Sequence, residues 1–148
     1  MKFISLCLLF FTVSCNFFSS DKEEVNANEK ALIEIQKADI AFSEYSKQKG
    51  MHKAFLQFIA DEAVLLQSNA IPIVGADAIQ YIANMSDANL ELTWTPLGGE
   101  VASSGEMGYT YGTFFLKKDT TTMQQGSYVT IWKKQSDGKW KFVLEKHD

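Results

Sequence analysis

Gly126 to Glu145 reads GSYVTIWKKQSDGKWKFVLE, two aromatic-rich runs of alternating character on either side of Ser136-Asp137-Gly138-Lys139. Alternation with period two marks a strand buried on one face, because successive side chains leave the backbone on opposite sides. Asp-Gly between two such runs supplies the positive backbone angles of a tight hairpin turn. The segment therefore reads as an antiparallel hairpin in which Tyr128 shares a strand face with Trp132, and Trp140 shares one with Phe142.

Working back from the hairpin, strand-like runs lie near Leu90 to Leu97 and Met107 to Lys117, with Gly98-Gly99 and Ser104-Gly105 at the corner between them. The first half of the chain has a different period. Leu32, Ile35, Ala38, Phe42 and Tyr45 recur at intervals of three and four between Asn28 and Lys49, while Lys30, Glu34, Lys37 and Glu44 fall elsewhere. That spacing predicts an amphipathic helix. Asp39 interrupts it, placing a carboxylate at the edge of the apolar stripe. Gly50 ends this helix, and Met51 to Ala60 repeats the pattern through Phe55, Phe58 and Ile59. Ala63-Val64-Leu65-Leu66 reads as a short buried strand, closed by Gln67-Ser68-Asn69 and Ile71-Pro72. Gly75 and Asp77 open a third helix carrying Ile79, Ile82 and Met85. Helices gathered in one half and an antiparallel meander in the other define an α+β class, with the helices packed on one face of a curved antiparallel sheet. There is no internal repeat.

Four segments in order, ADIAF (Ala38 to Phe42), FIADEAVLL (Phe58 to Leu66), SGEMGYTYG (Ser104 to Gly112) and the hairpin itself, resemble the SnoaL-like domains of the nuclear-transport-factor-2-like superfamily, which includes ketosteroid isomerases. The resemblance runs from residue 28 to 148 and implies a cone-shaped barrel with a pocket between helices and sheet. It also implies dimerisation through the outer sheet face, a possible homodimer here. Isomerases, dehydratases, hydrolases and binding modules share this fold, so the fold does not by itself assign an activity.

The opposite end of the chain carries a different signal. Lys2 precedes an apolar run from Phe3 to Phe11, and Thr12-Val13-Ser14 leads into Cys15. The run is far shorter than the ~18 residues that span a bilayer, so residues 1–14 read as a cleaved signal peptide. The segment resembles the signal and lipobox of bacterial lipoproteins, with Thr12 where that pattern usually has leucine. Cys15 is then the lipidated residue, and polar residues 15–27 form a tether that holds a single domain, residues 28–148, beside a membrane of the cell envelope. The only other cysteine, Cys7, lies within the apolar run, so the mature chain has no disulfide.

Basic residues number 14 against 18 acidic, all of them lysine. Without a guanidinium fork, and with a net charge of -4, nucleic acid is not an expected partner and a phosphate clamp is disfavoured. His52 and His147 are too few and too far apart in sequence for a metal centre. Neither a GxSxG elbow nor a phosphate loop occurs, and no cofactor is expected.

Candidates for a ligand site are Asp39, Trp94, Tyr109, Tyr111 and Trp132, whose rings line either the closed core or a pocket mouth. An acid/base reading by analogy with ketosteroid isomerase assigns Asp39, Tyr111 and Glu145: a carboxylate from the first helix, a phenol for a developing oxyanion, and a second carboxylate from the last strand. Against it stands a structural reading, in which Asp39 bonds a neighbouring strand or a tryptophan indole and Glu145 is solvated. Asp61-Glu62 reads as an exposed corner. Two functions remain: binding of a small apolar or amphipathic molecule, and cofactor-independent isomerisation or dehydration of a small cyclic or polyketide-like substrate.

Overall fold

In the computed structural model, which describes residues 20–148 apart from Thr120, the chain runs α1 (Ser20–Lys49), α2 (Met51–Phe58), β1 (Ile59–Leu66), β2 (Ile73–Val74), α3 (Ala76–Ala83), β3 (Leu90–Val101), β4 (Met107–Lys118), β5 (Thr121–Lys134) and β6 (Trp140–His147). The signal segment, Cys15 and the first part of the tether lie outside the described residues. The hairpin stands where the sequence puts it, with β5 antiparallel to β6 and Gly138 at φ +81° in the turn.

One six-stranded sheet, in the order β2-β1-β6-β5-β4-β3, carries the helices on one face. The expectation of a wholly antiparallel sheet needs correction, because β1 lies parallel to β6. The meander β3 to β6 is antiparallel throughout, but β1 enters the sheet beside the last strand and not beside its sequence neighbour. The tether also ends sooner than read, since α1 starts at Ser20. Its opening stretch, Asp21-Lys22-Glu23-Glu24, is wholly polar and so leaves no apolar period to read. The expected corner at Gly98-Gly99 is instead part of β3. A side chain at Gly98 would meet the Tyr111 hydroxyl at 2.7 Å, so glycine lets that ring lie over the strand.

Phe42 sits at the centre of the core, fully buried, stacked on Phe58 and Phe142 and met edge-on by Phe55 and Trp94. Hydrogen bonds fix α1 over the free edge of the sheet. β3 has a partner on one side only, and Ser43 takes the place of the missing strand: its Oγ accepts from the Trp94 N–H at 2.9 Å and donates to the Trp94 carbonyl at 2.7 Å. Ser46 donates likewise to the Leu92 carbonyl at 2.7 Å. Covering an edge satisfies backbone groups that could otherwise pair with another chain.

Two features of strand phase decide which side chains reach the interior. On β4 the inward residues are Gly108, Thr110, Gly112 and Phe114. A Cβ at Gly108 would lie 3.0 Å from Ile35 of α1, and one at Gly112 would lie 2.8 Å from the Tyr128 ring. Only small residues fit there, so the large tyrosines of this strand face outward. On β6 the register against β5 slips between Phe142 and Leu144, which makes Val143 an extra residue. Such a bulge re-aims the side chains beyond it. Glu145 consequently points inward, where simple alternation from Trp140 and Phe142 would place it outside.

Candidate functional site

Two carboxylates are buried under the helices, and their surroundings differ. Asp39 of α1 is 0% exposed. Its Oδ1 accepts from the Trp94 indole N–H at 2.7 Å and its Oδ2 accepts from the Tyr128 hydroxyl at 2.7 Å. Burial raises its pKa, and hydrogen bonds from Tyr128, Trp94 and Thr110 act in the opposite sense. The Tyr128 hydroxyl is held neutral by burial and by the carboxylate beside it. Trp132, also fully buried, donates from its indole to Thr110 Oγ1 at 2.8 Å. This is a closed polar network inside the core, with its donors and acceptors matched.

Glu145 of β6 is 4% exposed and has no comparable partners. Its Oε1 lies 3.6 Å from His147 Nε2, beyond hydrogen-bonding distance, while Oε2 and His147 Nε2 are buried without a partner. Leaving such an atom unpaired costs about 1–3 kcal/mol. Among the described residues these two atoms are the buried side-chain polar atoms left unsatisfied. Burial, reinforced by the Asp39 charge, pushes Glu145 well above the usual carboxylate range. His147 is driven the other way, down to about 4, by burial and by Lys146. Burial thus favours the protonated acid at Glu145 and the neutral imidazole at His147. The His147 ring is steadied by Phe114, whose ring meets it edge-on at 4.9 Å.

Both groups open into a cavity of about 160 Å³ between α2, α3 and the sheet. Met51 and Phe55 come from α2, Ile82 from α3, Leu65 from β1 and Leu92 from β3, with the half-exposed Tyr81 at the rim. A larger groove of about 330 Å³ runs along the outer face of the sheet by Tyr109 and Ile131, but no buried titratable group faces it.

Of the residues selected from sequence, the structure brings Asp39 and Trp94 together but does not gather the set around one cavity. Asp39, Trp94 and Trp132 belong to the core and do not line the cavity. Tyr109 and Tyr111, 40% and 48% exposed, stand on the outer face, so the assignment of Tyr111 as an oxyanion donor beside Asp39 is corrected: the sheet separates them. Glu145, which the structural alternative left in solvent, is at the cavity wall. Sequence reasoning misses His147 because it weighs that ring only as a metal ligand. Its position two residues after Glu145 is the available signal, since residues i and i+2 of a strand share a face. Asp61 and Glu62 are exposed, Glu62 pairing with Lys133 at 2.8 Å. Among the described residues no group of three or more metal-ligating side chains occurs.

No family model matches the chain, and no curated protein sequence matches it. Solved structures do. A ketosteroid isomerase-like protein from Erwinia carotovora aligns with a TM-score of 0.60 at 15% identity, over 78% of this chain and 93% of its own. An NTF2-like protein with a cystatin-like fold from Novosphingobium aromaticivorans gives 0.61 at 10% identity, over 91% and 90%. An LEH-like epoxide hydrolase from M. tuberculosis gives 0.55 at 14% identity, over 82% and 84%. The fold is thus that of the nuclear-transport-factor-2-like proteins. At these identities the likeness is one of fold, and chemistry has to be argued from the cavity.

Proposed function

We propose that this chain is an exported, lipid-anchored domain that binds a small apolar or amphipathic molecule in the cavity walled by Glu145 and His147. One observation carries the binding reading: an apolar chamber in which two buried polar atoms have no protein partner. A folded domain gains nothing from such atoms unless something else bonds to them. Asp39 supports the same reading by exclusion, since both its oxygens are already engaged by protein donors. The test is a thermal-shift survey of small neutral compounds on the soluble body. A ligand that binds the folded state raises its melting temperature, and filling the cavity by Ile82→Phe abolishes that rise. Stabilisation that survives the filled cavity places the ligand elsewhere.

Export and anchoring rest on the apolar run before Cys15. Cys15→Ser is expected to release the protein from membranes, and mass spectrometry of the wild-type N-terminus should find a diacylglyceryl cysteine. An unmodified Cys15 ends this part of the proposal.

A second reading, cofactor-independent proton transfer, draws on the juxtaposition in one chamber of an acid and an imidazole whose uncharged forms burial favours. Glu145 then keeps the acid/base role that the sequence suggests for it, and His147 replaces Asp39 and Tyr111 as its partner. Turnover of a bound compound, lost in Glu145→Gln while binding remains, distinguishes catalysis from storage.

The outer face of the sheet fits a second copy of this chain. Tyr109, Ile131, Leu144 and Val64 stand in register across β4, β5, β6 and β1, and Tyr111 beside Val129 forms a second row. Tyr109 and Tyr111 are exposed and the four aliphatic residues partly so, and a contiguous apolar patch of this kind marks an interaction surface. Sedimentation of the soluble body should give a dimer that Ile131→Asp dissociates, whereas a wild-type monomer at high concentration rejects it.

A further inference from the structure

Resting on the binding reading above, we propose that the cavity takes an uncharged molecule of about one ring in size bearing a single hydroxyl, seated with its oxygen between Glu145 and His147. Size comes first. The chamber measures about 160 Å³. A dry cavity of about 150 Å³ in another protein accommodates benzene, and pockets for drug-sized ligands begin at roughly 300 Å³. A single ring with one substituent fits inside, whereas a fused polycyclic or polyketide-like molecule would have to project past the Tyr81 rim. That narrows the substrate class suggested by the fold.

Polarity comes second. Apart from Glu145, His147, Gln67 and the phenol of Tyr81 at the rim, the side chains of the wall are hydrocarbon, thioether and aromatic ring, and no lysine lines it. An anionic ligand would meet the Glu145 carboxyl with no cation to balance it. An alkylammonium ion has three donors to satisfy and finds few acceptors in this wall. An uncharged ligand incurs neither cost.

Hydrogen-bond matching comes third. Glu145 Oε2, nearly without solvent contact, and His147 Nε2 are both unpartnered, with the facing Glu145 Oε1 to His147 Nε2 gap at 3.6 Å. A hydroxyl both accepts and donates, so one oxygen serves the acid proton of Glu145 and the lone pair of a neutral imidazole. A carbonyl can answer only one of them in that tautomer. Burial favours the uncharged form of both the acid and the imidazole, which is the state this matching needs.

Calorimetric titration of the soluble body at pH 7 with phenol, toluene, benzoate and benzylamine tests this directly. Phenol and toluene have nearly the same shape and differ in the hydroxyl. Phenol should bind at least about tenfold more tightly than toluene, and both charged compounds should bind more weakly than phenol. In Glu145→Leu the preference for phenol should vanish while toluene still binds. Glu145→Gln, which keeps a donor, should retain the preference and guards against a variant that fails to fold. Equal affinity of phenol and toluene in the wild type overturns the hydroxyl assignment and leaves the binding reading standing. Tighter binding of benzoate or benzylamine overturns the claim of an uncharged ligand. If none of the four binds the wild-type protein, the cavity-binding reading fails together with this inference.

Discussion

Asp39 and Glu145 are both acids sealed beneath the helices, yet one is fully satisfied by the protein and the other is not. Trp94 and Tyr128 arrive at Asp39 from β3 and β5 with a donor for each oxygen, which makes the carboxylate a fastener between helix and sheet. Glu145 fastens nothing: it faces a chamber with an imidazole that stands too far off to bond. Burial alone therefore does not identify a functional carboxylate. What separates the two is whether the surrounding donors and acceptors are already matched.

The sharpest way to break this contrast is to delete each acid in turn. Asp39→Leu strands the Trp94 indole N–H and the Tyr128 hydroxyl in the core, and should cost roughly 2–6 kcal/mol in urea unfolding at about 1–3 kcal/mol per orphaned group. A loss below about 1 kcal/mol would mean the network is ornamental. Trp94→Phe removes one donor from Asp39 and keeps the aromatic packing on Phe42, with an expected loss of about 1–3 kcal/mol. Glu145→Leu goes the other way: with no bond to lose and an unpaired acid replaced by hydrocarbon, it should be neutral or stabilising by about 1 kcal/mol. Marked destabilisation there would show that Glu145 has a structural partner after all.

A smaller effect, visible only against pH, sharpens the comparison further. The Glu145 pKa is raised on folding, so its contribution to stability is fully present below the unfolded value of 4.5 and is lost as pH rises through the folded value. His147 is depressed from 6.5 to about 4, so its contribution is present above 6.5 and is lost as pH falls toward 4. Relative to wild type, Glu145→Gln should gain stability as pH rises from 4.5, and His147→Gln should lose less as pH falls from 6.5 to 4. Parallel pH profiles for all three proteins would contradict the directions of these shifts.

How much of this was readable in the chain depends on which forces are local. The hairpin was legible because alternation and Asp137-Gly138 act within a few residues, and α1 because its apolar stripe repeats over several turns. The bonding of Asp39 to an indole was one of two readings its position allowed. The features that stayed hidden depend on distant neighbours. The outward turn of Tyr109 and Tyr111 arises from Ile35 and Tyr128 crowding the other face of β4. The inward turn of Glu145 arises from a bulge at Val143 that no residue type announces. The two-residue strand β2 has no period of its own, and the parallel pairing of β1 with β6 joins the first long strand to the last.

That parallel pairing also sets an order of events in folding. Residues 59–66 can meet residues 140–147 only after the intervening meander has brought the two within reach, and closing so long a loop is entropically slow compared with zipping neighbouring hairpins. Leu65 and Glu145 lie directly opposite each other in this last seam and both wall the chamber. The expected order thus makes the chamber the last part of the molecule to form. Val129→Ala in the hairpin should chiefly slow folding, while Leu65→Ala should chiefly hasten unfolding. A chain arrested one step short of the native state would already have its four-stranded meander and its helix clasp, and nowhere to put a guest.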